Sequence, residues 1–269
     1  MRLFAIPILK NKWAYYCHST IPTTSRLTQV VDWSSKKWDQ LGQAEQETWK
    51  RKLYDRGTNL MNQLDYEEWF FKSVPPKEDI EKPLNMVLIH HPSILQGDML
   101  NADLQGLLKR RTVYHRKYMY YSAYWVPISC TFVIVPLIPN IPLAYNLFRL
   151  YSHYKAYKGA QHLQSLADYG SLEYKEDPQM DALLGHIQFK SSQDIVFSEK
   201  VHEAFLNSPK KPNLEHINDD VDGVLNSDDI QKLVKVLNVP GLELELTRAR
   251  SQILKSIAHQ RFGGVDKEK

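Results

Sequence analysis

The sequence predicts a mostly α fold, in which helical regions flank one proline-broken membrane hairpin or single span, with at most a minor β element. Three observations carry this. Apolar residues recur at helical spacing before and after the middle of the chain. The middle itself, Met119 to Phe148, holds no charged side chain. A short apolar run, Met86–Ile89, ending before Pro92, is the candidate strand. The 269 residues allow one large or two small domains. Apolar residues at 43% and charged residues at 24% are ordinary globular usage. That excludes wholesale disorder and a polytopic transporter made mainly of lipid-facing helix. A net charge of +3 gives no reason to expect a nucleic-acid partner. The two cysteines, Cys17 and Cys130, supply neither a disulfide framework nor a zinc site.

Residues 1–31 contain Arg2, Lys10, Lys12 and Arg26 and no acid before Asp32. Hydroxyls cluster at Ser19, Thr20, Thr23, Thr24 and Ser25. Basic, acid-free and hydroxyl-rich is the composition of a mitochondrial transit peptide. Pro7 interrupts an apolar stretch too short for a secretory core. These residues are therefore expected to be an address, outside the fold.

An N-terminal matrix helical region is expected over 32–118. Trp38, Leu41, Trp49, Leu53, Leu60 and Leu64 fall near helical spacing over 32–73, and Val74-Pro75-Pro76 stops that helix. Met86–Ile89 is the candidate strand. Asp103 is placed to cap a helix whose Leu104, Leu107 and Leu108 share a face and which runs on into the apolar segment.

The membrane segment is 119–148. As continuous helix its thirty residues would reach roughly 45 Å, long for one crossing of a ~30 Å hydrocarbon core and short for two. Pro136, Pro139 and Pro142 resist helix continuation, and Asn140 between them suits a turn. Lys109, Arg110, Arg111, Arg116 and Lys117 precede the segment, and Arg149, Lys155 and Lys158 follow it. Positive-inside bias keeps both flanks in the matrix, which a re-entrant hairpin satisfies and a single kinked span does not. Tyr and Trp at both ends suit the headgroup level.

A C-terminal helical region is expected over 149–262. Ala160–Leu172 reads as helix. The acidic stretch Glu176–Asp229 reads as loop with one helix, Ser198–Leu206. Ser227 is expected to cap a helix with Ile230, Leu233, Val234 and Leu237 on one face. A last helix covers Leu242–Ala258, and a mobile tail is expected over 263–269. No internal repeat occurs.

No motif carries an enzyme's chemistry: HExxH, P-loop, GxGxxG and GxSxG are all absent, and no cofactor is expected. His90 and His91, adjacent on a strand, point to opposite faces. Asn218, Asp220, Asp222, Gly223 and Asp229 fall at EF-hand spacing. The loop starts with Asn, ends with the shorter Asp229 and lacks an entering helix, so an acidic helix start competes with a weak calcium site. Arg149 and His153 share a helix face four residues apart. With Asn146 they are the candidate ion-path residues, His153 being the group able to titrate near neutral pH.

The stretch Trp125-Val-Pro127 … Pro136-Leu-Ile-Pro139-Asn140-Ile-Pro142-Leu-Ala-Tyr145-Asn-Leu-Phe148-Arg149-Leu-Tyr151-Ser-His153-Tyr154 resembles the mitochondrial potassium–proton exchange-related family. The resemblance implies an inner-membrane protein needed for potassium–proton exchange, with potassium, protons and membrane lipid as partners and no assigned catalytic residues. An exchanger needs a titratable group and alternating access, and the segment 119–148 offers neither alone. The expectation is therefore a subunit or regulator, in a homo-oligomer or larger membrane complex, with most of the chain facing the matrix. A scaffold or assembly factor tethering matrix partners is the alternative.

Overall fold

The computed structural model describes residues 1–20, 63–80, 86–131, 141–208, 212–218, 221–239 and 241–263, with shorter stretches between 40 and 55. The described residues are mostly helical, with one small sheet. They form two compact units. One takes Ser19–Val87 and Leu104–Ser171. The other takes Arg2–His18, Leu88–Asp103 and Leu172–Lys269.

The sheet unit is built on strands β1 (Arg2–Leu9), β2 (Lys12–His18), β3 (Val87–His91) and β4 (Leu172–Glu176), in the order β2-β1-β3-β4. β1 and β2 form an antiparallel hairpin, while β1 and β3 run parallel, with Leu3 opposite Ile89 and Phe4 opposite His90. β1 is central and every residue after Arg2 is buried, as expected of a strand covered on both faces. Pro7, which cannot donate to the ladder, sits where the β1–β2 register shifts.

This corrects the reading of the N-terminus. Leu3, Phe4, Ile6, Ile8 and Leu9 look like the apolar face of a presequence, yet all are essentially inaccessible. The strand signal was hidden because β1 is a continuous apolar run rather than an alternating one. Residues 21–31 lie outside the described residues.

The same unit contains the helices α4 (Pro178–Leu184), α5 (Glu199–Asn207), α6 (Ser227–Leu237) and α7 (Leu242–Phe262), of which α7 packs against β2. Asp177 caps α4 through the Gln179 amide, with Pro178 at the first position; α4 falls where the sequence reads as loop, and β4 lies between the expected 160–172 helix and that loop. The cap of α6 is Asn226, whose side chain accepts from the Asp229 amide, and Ser227 is the first helical residue. Ile230, Leu233 and Leu237 on α6, and Leu242, Leu246, Ala249, Ile253 and Ile257 on α7, are buried as their spacing predicts. His90 stacks on Phe4 and faces Asp177, while His91 is buried with Nδ1 on the Pro92 carbonyl. The two rings do separate to opposite faces.

The helical unit contains α1 (Tyr66–Ser73), most of α2 (Gly97–Cys130) and α3 (Ile141–Asp168). The helix expected over 32–73 is interrupted: Asp65 is in extended conformation and caps α1 through the Glu67 amide. α2 begins at Gly97, six residues before the expected cap. Asp103 instead accepts from Trp13 Nε1 and Tyr15 Oη on β2. α2 runs on into the uncharged stretch with Pro127 inside it. α3 joins the second arm to the expected helix from Ala160 as one continuous element, but it ends at Asp168, and Leu172 opens β4. Pro142 lies in the first turn of α3 rather than in a loop. Pro136, Pro139 and Asn140 lie outside the described residues. Gly159 lets α3 meet α1, since a Cβ there would run into the Phe71 carbonyl oxygen.

No helix among the described residues is long and apolar enough to cross a membrane. The charge-free part of α2 covers 119–130, about 18 Å at 1.5 Å per residue, and that of α3 covers 141–148. Neither matches the ~20 apolar residues that a span requires.

Candidate functional site

α1, α2 and α3 each contribute to one buried polar cluster. Glu68 comes from α1, His115 from α2, and Arg149, Ser152 and His153 from α3. Glu68 is 3% exposed, His115 0% and His153 2%. Helical spacing puts them there: Glu68 and Phe71 are three apart on the buried face of α1, and His115 continues the stripe of Leu104 and Leu108 on α2.

Arg149 is the hub. Its Nη1 donates to Glu68 Oε1 at 2.9 Å and its Nη2 to Glu68 Oε2 at 3.3 Å. Ser152 Oγ donates to Glu68 Oε1 at 2.6 Å. Arg149 Nη2 also reaches His153 Nε2 at 2.7 Å. A guanidinium can only donate, so His153 Nε2 is the acceptor and the neutral ring carries its proton on Nδ1. That Nδ1–H faces His115 Nδ1 at 3.1 Å. His115 then holds its own proton on Nε2, a buried atom without a partner. Tyr114 and Tyr118 close the cluster edge-on and stacked against the imidazoles. Beside it, Arg111 pairs with Asp65 and Glu67.

Burial dominates the electrostatics. It pushes His115 down to about 3, with the neighbouring His153 and guanidinium groups adding to the effect against the pull of Glu68. Burial, then Arg149, pushes His153 down to about 4. Burial alone would raise Glu68, but the Ser152 hydroxyl and Arg149 outweigh it and hold the carboxyl below its usual range. At neutral pH the cluster is one carboxylate, one guanidinium and two neutral imidazoles. His153 therefore does not titrate near neutrality, contrary to the sequence expectation, because it is buried beside a permanent cation rather than placed at a wet helix end.

Glu68, His115 and His153 offer ligand atoms within 4.8 Å of one another, a donor set suited to a transition metal. Arg149 works against that use. It already neutralises Glu68 and fixes the His153 proton on the nitrogen that faces His115. A dication would have to displace that proton and sit beside a guanidinium that cannot deprotonate. The arrangement is better suited to clamping three helices together.

The structure brings Arg149 and His153 together, but with Glu68 rather than at a polar mouth. Asn146, one turn away, donates to Ser129 Oγ at 3.3 Å and so ties α3 to α2 within the uncharged arm. Glu68, His115 and Ser152 were missed from sequence. The available signal was a charged or imidazole group at a core position of an otherwise apolar helix face.

The EF-hand-like loop is committed elsewhere. Asp222 is paired with Lys190 Nζ at 2.5 Å. Asp229 is buried and accepts from Lys232 Nζ at 3.1 Å. Asn226 is used as the helix cap. The Leu225 amide donates to the Ile8 carbonyl, tying the loop to β1. The Asn218 side chain and Asp220 lie outside the described residues. In the described part Lys190 pairs with Asp222 and Lys232 with Asp229 Oδ1, while Asp229 Oδ2 is buried without a hydrogen-bond partner.

Beyond the cluster, α2 and α3 present aromatic rings outward. Tyr120 is 65% exposed, Tyr124 71% and Trp125 52%, with Tyr121, Ile128, Tyr145 and Leu147 also open.

A family profile described as mitochondrial K+-H+ exchange-related matches residues 2–167. An uncharacterised protein of Schizosaccharomyces pombe is 24% identical over 189 residues, 68% of this chain and 83% of its own length. An uncharacterised protein of Saccharomyces cerevisiae is 23% identical over 292 aligned positions, 95% of this chain and 85% of its own. No solved structure is significantly similar. The family match runs from β1 to the end of α3 and takes in the whole clamp, so the chain belongs to the mitochondrial K+-H+ exchange-related family.

Proposed function

We propose that this chain is a non-catalytic inner-membrane component, a subunit or regulator, of mitochondrial potassium–proton exchange. In this reading the charge-free parts of α2 and α3 dip into one leaflet as a re-entrant arm, and the rest faces the matrix. The observation that carries it is the outward display of Tyr120, Tyr124, Trp125 and Tyr145 on paired helix segments without a charged side chain. Rings with an apolar body and a polar edge favour the membrane–water interface. An exposed patch of such rings marks a membrane or partner contact, and the interfacial preference of Tyr and Trp favours the membrane. Basic residues on both flanks favour keeping both ends of the arm on one side.

The subunit role is supported by what the cluster offers. Its two imidazoles are held neutral at physiological pH, so they do not load protons as an exchanger's transport site must. The same observation favours a scaffold as the second reading. Mitochondria lacking the chain should restore matrix pH slowly after a potassium step. Exchange should return with the wild-type chain and not with Tyr120→Ser/Tyr124→Ser/Trp125→Ser. Unchanged exchange without the chain would discard the exchange role and leave the scaffold.

A further inference from the structure

We propose that Lys72, Arg116 and Lys117 form a cationic collar at the root of the arm that docks anionic phospholipid headgroups. The inference rests on the insertion reading and adds the lipid class to it.

The collar stands where charge ends and exposed aromatics begin. Lys117 is the last charged residue of α2, and its Nζ lies 5.8 Å from the centroid of Tyr121, one turn into the uncharged stretch. Lys72, at the end of α1, has its Nζ 3.8 Å from the Trp69 centroid and 5.5 Å from that of Phe148. Phe148 is the last uncharged residue before Arg149 on α3. Arg116 is exposed beside Lys117. Long basic side chains that cover aromatic surface while keeping their heads in water are suited to the headgroup plane.

Among the described residues no ion pair cancels the charge of the two exposed α2 cations, Arg116 and Lys117. The carboxylates nearest the root belong to other partners: Asp65 and Glu67 to Arg111, and Glu68 to Arg149 and Ser152. The described helix from Tyr120 to Cys130 covers about 16 Å, close to half of a ~30 Å hydrocarbon core. Zwitterionic headgroups bring phosphate without net charge, so the net positive collar selects for anionic lipid.

Flotation of the full chain with phosphatidylcholine vesicles, with or without phosphatidylglycerol, tests this. The wild type should bind the mixed vesicles more tightly, with the excess removed by salt. Lys72→Gln/Arg116→Gln/Lys117→Gln should bind mixed vesicles roughly a hundredfold more weakly, each cation near an anionic surface contributing about a factor of five. Its binding to pure phosphatidylcholine should be unchanged, and its urea midpoint should fall by no more than the loss of the Lys72–Trp69 contact. Equal wild-type binding to the two vesicle types would overturn the collar while leaving insertion intact. No binding to either would overturn insertion itself, and the collar with it. A triple variant that retains the anionic preference would place the headgroup site elsewhere.

Discussion

The two ends of the α2–α3 pair differ in what they do with polar chemistry. At the base, α1 covers the pair, and the contact surface holds a carboxylate and two imidazoles with almost no exposure, paired with a partly exposed guanidinium. At the tip, no charged side chain remains and the large rings face outward. A soluble helical hairpin would be arranged the other way, with polar groups outside and rings inside. The comparison separates two regions of the same helices: the base packs three helices around a buried polar cluster, and the uncharged parts of α2 and α3 leave their rings exposed.

The sharpest way to break the comparison is to leave one charge of the base without its partner. Glu68→Ala or Arg149→Ala should each destabilise the fold by about 3–5 kcal/mol, because the remaining ion is buried alone. Urea midpoints measure it. Replacing both with Leu and Met should recover much of the loss. A single variant with an unchanged midpoint would show that the pair does not hold the helices.

Gly159→Ala should cost about 1–3 kcal/mol by driving a methyl group into the Phe71 carbonyl where α3 crosses α1. Ala is the better helix former, so a stabilised variant would mean that the close approach is absent.

Acid should weaken the base before the tip. His115 and His153 are held neutral in the fold, at about 3 and about 4, against an ordinary value of 6.5. Their contribution is complete above about pH 6.5. It is lost as pH falls from there towards 4 and 3, because the unfolded chain takes up the protons first. Glu68, held low in the fold, adds a further loss once pH drops through the carboxylate range. Urea midpoints taken between pH 7.5 and 5 should fall with pH, and His115→Phe should flatten part of that slope. A pH-independent midpoint would contradict neutral burial of the rings.

The smallest effect on stability belongs to the tip. Tyr120→Ser/Tyr124→Ser/Trp125→Ser should leave the urea midpoint nearly unchanged, within about 0.5 kcal/mol for each exposed site, while abolishing vesicle flotation. A large stability loss would show that the rings pack within the protein and would remove the membrane reading.

Helical periodicity alone located α6 and α7, and the apolar run at 86–89 located β3, because burial of one face imposes its period on the sequence. The charge-free middle and its basic flanks were equally legible, since they are facts of composition. The strand character of 1–18 was not. A central strand buried on both faces carries no alternation, and its few basic residues imitate a presequence until Ile89 and His90 are known to lie beside it. Short elements were also lost, α4 in the acidic stretch and β4 just before it, because a single capped turn or a five-residue strand exists only through its neighbours. The same limit applied to the cluster. Sequence put Arg149 and His153 on one helix face, four residues apart. Only tertiary packing brought Glu68 from eighty-one residues away to share Arg149, and only burial beside that guanidinium kept His153 neutral. Proximity in the chain fixes which side chains share a face. Desolvation and pairing, which depend on the elements that cover that face, decide their charge.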